Sequence, residues 1–299
     1  MIGSRLDHRA QTAYLRPGIL AALLFVLVPI VGCGPSPSSA RLPIPVTATS
    51  KARPPAPSPV APSATAPPAE AMSHLALGLR VYQTGFVTSF VRPGDILGSG
   101  FRNGISYAAD ILSSLSRGER MLMFTTIVGL TTTLDALTVP ISYLGYDLEQ
   151  GTASPAESQD PIQAVKTAQQ IAHSRGLQLV IGPTGYFVEK YGAQMARYTD
   201  VFIPQAKYYQ ANLSPAQYEQ TMRALFTSLK QANPQVKIFL DISPSPKGIQ
   251  KTPPEMMQSA QSVLDLIDGV WITYRPAEAQ QVLEFVKLMG RQSAYGPDH

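Results

Sequence analysis

Ile141-Ser-Tyr-Leu-Gly-Tyr-Asp-Leu-Glu149 follows Pro140 and is rich in β-branched and aromatic residues, the composition of a buried strand. It ends in two carboxylates, Asp147 and Glu149. Side chains alternate along a strand, so the two acids share a face with Tyr143 and Gly145, and Leu144, Tyr146 and Leu148 take the other face. Two acids on one face at the C-terminal end of a strand are costly unless the site is wet, paired or in use. They are either a functional pair or a structural one that bonds neighbouring loops or meets a Lys or Arg.

Working outward, the loop 150–160 is long enough to shape a site. Beyond it the chain alternates regularly. Asp160-Pro161 caps a helix to about residue 174, with Gly176 just past its end, and 177–183 is a strand. A short helix over 189–198 and a strand over 200–206 follow. Ser214-Pro-Ala-Gln217 is a capping box opening a helix to about residue 232, and 236–242 is a strand. Thr252-Pro-Pro-Glu255 is a second box, whose helix ends near Asp268-Gly269. The last strand is 269–274 and the last helix 277–289.

On the other side, 75–82 reads as a first strand and 86–91 as another, or as a hairpin return. Gly98-Ser-Gly-Phe-Arg-Asn-Gly104 departs from the spacing of a dinucleotide fingerprint and reads as a turn. A helix over 106–115 and a strand over 121–128 complete the pattern. Seven strands are visible, and an eighth is expected before Met121. The fold class is α/β, a (β/α)8 TIM-type barrel, abbreviated at about 226 residues against the ~250 typical of that fold. The alternative, an open doubly wound sheet, lacks a glycine fingerprint. In a barrel the strand C-termini carry the chemistry, which puts Asp147 and Glu149 where it is done.

The first 72 residues are of another kind. Arg5, Arg9 and Arg16 precede an uncharged apolar run, 18–32, the pattern of an export signal. The run contains Pro29 and falls short of the ~20 residues of a spanning helix, the alternative being a retained anchor. Ile30-Val-Gly-Cys33 resembles the bacterial lipobox, which implies lipid on Cys33 and attachment to the cell membrane, facing outward. Cys33 is the only cysteine, so the folded part has neither disulfides nor thiol chemistry. Residues 35–68 hold eleven prolines among Ser, Ala and Thr, a composition that buries no core and favours extended chain. The expected organisation is a signal peptide over 1–32, a linker over 33–72 and a barrel over 73–299. Without the signal peptide the net charge falls from +4 to +2, and no basic stripe points to nucleic acid.

The residue types left in the barrel narrow the chemistry. His8, His74, His173 and His299 show no metal-ligand spacing, so no metal site is expected, and no cofactor fingerprint is present. No Gly-x-Ser-x-Gly elbow occurs, and no histidine falls on a βα loop to serve a serine. Carboxylate chemistry remains. Hydrolysis of a glycoside needs one acid for the leaving oxygen and a second carboxylate, or the substrate's acetamido group, for the developing positive charge. Repulsion from Asp147 is expected to raise Glu149 and keep it protonated for the first role.

Gly145-Tyr-Asp-Leu-Glu149 resembles the end of the Asp-Gly-x-Asp-x-Asp-x-Glu strand motif of the chitinase-like, family 18 glycoside hydrolases. The resemblance implies that Glu149 is the acid and that Asp147 orients an acetamido group. Ser142 and Gly145 stand where the earlier acids would be, Leu148 replaces the usual tryptophan, and Pro204-Gln-Ala-Lys207 stands where Met-x-Tyr-Asp is expected. The region 120–290 also resembles uncharacterised exported bacterial barrel proteins. Tyr146, Gln205, Lys207, Asp241 and Trp271, at or near strand ends, are the candidate substrate-binding residues. Glu157 either belongs to the site or caps the following helix. Two functions are carried forward: a lipid-anchored glycoside hydrolase acting on a polysaccharide, and a non-catalytic envelope lipoprotein that binds a glycan or a protein.

Overall fold

The computed structural model describes residues 72–82, 84–87, 89–100 and 104–291. The expected signal peptide, Cys33 and the proline-rich segment lie outside the described residues. Eight parallel strands close into a barrel in sequence order: β1 (Ala76–Arg80), β2 (Ile96–Gly100), β3 (Glu119–Phe124), β4 (Tyr143–Tyr146), β5 (Gln178–Ile181), β6 (Val201–Phe202), β7 (Lys237–Ile242) and β8 (Gly269–Ile272). β8 returns to β1 with Gly78 opposite Trp271, so the sheet has no free edge.

The connections are helical. α1 (Thr84–Val87) follows β1, α2 (Ile105–Ser113) follows β2, and α3 (Leu130–Ala136) follows β3. α4 (Pro155–Gln159) and α5 (Pro161–His173) lie between β4 and β5, and α6 (Gly185–Ala196) between β5 and β6. α7 (Lys207–Asn212) and α8 (Pro215–Ala232) precede β7, α9 (Pro253–Gln261) precedes β8, and α10 (Ala279–Leu288) closes the fold.

The local signals act as expected at the helix starts. Ser214 Oγ accepts from Gln217 N while Gln217 Oε1 accepts from Ser214 N, and Thr252 and Glu255 form the same reciprocal box, each with proline in the first turn. Asp160 Oδ1 accepts from Gln163 N at 3.0 Å. Gly176, past the end of α5, takes φ 69°, a left-handed conformation that a side chain would resist.

Three expectations change. The eighth strand, expected before Met121, is Ile96–Gly100, and its second half takes up Gly98, Ser99 and Gly100 from the stretch read as a turn. Its glycines looked like turn residues, but they stand on the crowded inner wall. A Cβ at Gly98 would come within 2.7 Å of Met123 Sδ and 3.2 Å of Trp271. Phe86 and Val87 end α1, and 89–90 form a turn, where a strand or a hairpin return was expected. β6 is only Val201–Phe202, because Pro204 interrupts the ladder.

Alternation divides the core into two layers. Leu77, Leu79, Leu122, Leu144 and Ile181 face the helices in a large outer cluster. Ile96, Met121, Tyr143, Val180, Phe239 and Trp271 belong to a separate inner cluster that fills the barrel. Gly78 and Gly145 make this filling feasible: a Cβ at Gly78 would stand 2.4 Å from the Trp271 ring, and one at Gly145 2.8 Å from Met121 Sδ. The inner layer therefore ends in a floor below the strand C-termini.

Below it, at the N-terminal end, Arg291 Nη1 meets Asp95 Oδ2 at 2.5 Å, both side chains being 2% exposed. Asp95 also accepts from the backbone amides of Leu77 and Arg92 (2.8 Å each), and Arg291 donates to the Leu75 carbonyl. This pair fastens the end of the described chain to β1.

Candidate active site

The cavity at the C-terminal mouth of the barrel measures about 130 Å³, on the order of the space that takes a single six-membered ring. Trp271 and the inner methionines form its floor. Asp147, Glu149, Gln205, Lys207 and Asp241 line its walls, together with Arg80, Tyr82, Thr273 and Tyr274. Strand parity accounts for most of this. Arg80 continues the inward face of Gly78 on β1, Asp147 that of Tyr143 and Gly145 on β4, and Asp241 that of Phe239 on β7.

One amide ties the acids together. Gln205 Nε2 donates to Asp147 Oδ1 (3.0 Å), to Glu149 Oε1 (3.3 Å) and to the Gly182 carbonyl (2.9 Å). The backbone holds the pair as well: Asp147 N donates to the Phe124 carbonyl at 2.6 Å, and the Glu149 carbonyl accepts from Ala153 N at 3.0 Å. Burial, then the neighbouring Glu149 charge, push the Asp147 carboxyl up to about 7, against the opposing pull of Lys207, the Gln205 hydrogen bond and Arg80. Burial and the neighbouring Glu149 charge act in the same direction on Asp147, burial being the larger of the two.

Asp241, 1% exposed, sits across the floor. Its Oδ1 accepts from Thr273 Oγ1 at 2.7 Å, and its Oδ2 is buried with no hydrogen-bond partner among the described residues. Burial raises this carboxyl too, opposed by Lys207, Thr273 and the Ala206 amide. Tyr82 and Tyr274 meet edge to face at 5.4 Å between ring centres and form an aromatic wall.

Tyr146 departs from its expected role. It borders the cavity, yet its ring is packed in the outer layer, where burial and Glu157 push its phenol up. An even-numbered position on β4 faces the helices, so its hydroxyl is not offered to a ligand. Glu157 is the capping residue of α4: its carboxylate accepts from Ser154 N at 2.7 Å and from Ile127 N, joining two βα loops. Arg80, Tyr82, Thr273 and Tyr274 were not singled out from the sequence. The parity of Gly78 and Arg80 was the available signal.

The fold has known counterparts. It is similar to the family 18 chitinase from Crocus vernus, at 10% identity and a TM-score of 0.51, covering 72% of this chain and 98% of that one. It is also similar to the catalytic domain of a family GH18 chitinase from the fern Peteris ryukyuensis, at 11% identity and a TM-score of 0.52, covering 71% and 99%. The domain is a TIM-type (β/α)8 barrel. At such identities the likeness is one of fold. No family model matches the chain, and no curated protein matches it.

Proposed function

We propose that the chitinase-like barrel is a glycoside hydrolase acting on a polysaccharide, with Glu149 and Asp147 as its working acids. The observation that carries this reading is the Gln205-bridged acid pair at the cavity mouth, with one carboxyl raised to about 7. A carboxyl with that value is half protonated near neutral pH, where a general acid works best. The pair then carries a proton that Glu149 delivers to the glycosidic oxygen as the bond to the sugar's anomeric carbon breaks. Asp147, negative once that proton has left, steadies the positive charge developing on the ring or on a neighbouring acetamido group. Water adds to the anomeric carbon, and the pair takes its proton back. Trp271 and the tyrosine wall offer apolar faces to the sugar, and Gln205, Lys207 and Asp241 offer polar contacts.

A second reading is favoured by one observation. Gly145 stands where family 18 places an acid, and Met121 and Met123 occupy the space an acid would need. A barrel that kept the cavity but lost turnover would bind a glycan without cleaving it. Export and lipid attachment at Cys33 belong to the proposal on sequence grounds alone. Cys33→Ala should abolish processing and detergent partitioning, and unchanged behaviour would remove that part.

The test of the main reading is release of reducing ends by the wild-type protein from oligosaccharides with and without acetamido groups. Cleavage of either kind supports hydrolysis. Binding with no cleavage on any glycan leaves the second reading.

A further inference from the structure

Two basic side chains line the cavity without a carboxylate of their own. The ion pairs among the described residues involve neither Arg80 nor Lys207, although three carboxyl groups share the cavity with them. Arg80 lies with its guanidinium carbon 5.6 Å from the centre of the Tyr82 ring. A place is kept for it: a Cβ at Gly100 would stand 2.7 Å from Arg80 Nη2, so glycine at the end of β2 leaves the channel in which the guanidinium rests. Lys207 enters from the first position of α7.

We propose that Arg80 and Lys207 recognise a carboxylate on the sugar, so that the ligand of this cavity is an acidic glycan. The inference deepens the proposed function and rests on its glycan-binding half.

The charge balance favours it. Burial disfavours the ionised forms of Asp147 and Asp241, so the negative charge these acids would bring is reduced. The guanidinium stays charged at any pH of interest. The less these two acids are ionised, the more of the positive charge of Arg80 and Lys207 goes unbalanced within the cavity, and a ligand carboxylate balances it. A low-dielectric cleft concentrates that field. The planar guanidinium fork suits a carboxylate, which it grips through two parallel N–H bonds. A neutral sugar would bring no charge to balance the excess.

Two common places for a carboxylate on a pyranose are C6, as in a hexuronic acid, and a lactyl ether, as in a muramic-type sugar. The experiment distinguishes them. Binding and turnover by the full chain would be measured on an oligogalacturonate, on a disaccharide of N-acetylglucosamine and N-acetylmuramic acid, on the same sugars with the carboxyl reduced to an alcohol, and on neutral chito- and laminari-oligosaccharides. The expected result is that one acidic sugar binds roughly 10–100-fold more tightly than its reduced form, the range of one charge-assisted contact. Arg80→Gln and Lys207→Gln should each shrink that ratio. Gly100→Ala, which crowds the guanidinium without removing its charge, should shrink it less.

The comparison with reduced sugars uses the wild-type protein and stands even where a variant fails to fold. Equal binding of acidic and reduced sugars, binding of neither acidic sugar, or a ratio unchanged in both charge variants overturns the inference. Cleavage of neutral sugars without that preference would sink this inference and leave hydrolysis standing. Preference in binding with no cleavage would do the reverse.

Discussion

Replacing Asp147 by Asn should stabilise the protein by an amount that grows with pH. The folded carboxyl sits at about 7, against 3.8 for an ordinary aspartate. Near and below pH 3.8 both states hold the proton and the difference is absent. As pH rises, the unfolded chain gives up its proton first, so the folded state binds more protons and stability falls. Above about 7 the cost is complete. A shift of about three units corresponds to about 4 kcal/mol. The asparagine does not titrate, and its side-chain oxygen can still accept from Gln205, so any change in hydrogen bonding adds an offset that hardly varies with pH. Between pH 4.5 and 8.5 the variant should therefore gain about 3 kcal/mol on the wild type, a Tm difference widening by on the order of 10 °C for a domain of this size. Urea titrations of both proteins at pH 4.5, 6.5 and 8.5 would measure it. Parallel stability curves at a constant separation would show that Asp147 is not raised by burial, and the chemistry drawn from it would go too.

Gly78→Ala places a methyl group 2.4 Å from the Trp271 ring and should destabilise by about 1–3 kcal/mol in a urea melt, with a change in Trp271 fluorescence. Arg291→Met leaves the buried Asp95 charge without its partner and should lower stability by about 3–5 kcal/mol at neutral pH. Glu157→Gln should weaken the joint between the two βα loops and lower the melting temperature, because the amide can no longer accept at both oxygens from Ser154 N and Ile127 N.

Much of the barrel was legible because helix starts are local. Capping boxes at Ser214 and Thr252 and the Asp160-Pro161 start are written in a few neighbouring residues, and tertiary contacts merely confirm them. β2 was not legible, for a physical reason. Gly98 and Gly100 carry the composition of a turn, and only the closed barrel reveals that they make room for Met123, Trp271 and Arg80. The strand-end rule led to Asp147, Glu149, Gln205, Lys207, Asp241 and Trp271, which do converge on one cavity. Arg80 escapes that rule, since only the inward face of Gly78 on β1, continued to the strand's end, leads to it. Alternation gives the face of a carboxyl, but its depth depends on loops that arrive from β5 and β6.

The central claim is that Glu149 delivers the proton that breaks a glycosidic bond. Glu149→Gln keeps the shape of the side chain and removes the transferable proton. The most direct measurement follows turnover and ligand binding in parallel on this variant and the wild type, using an oligosaccharide the wild type cleaves. The account predicts that turnover falls roughly 10²–10⁴-fold while binding and melting temperature stay close to wild type. Turnover within a few-fold of wild type in a folded, ligand-binding Glu149→Gln protein would contradict it.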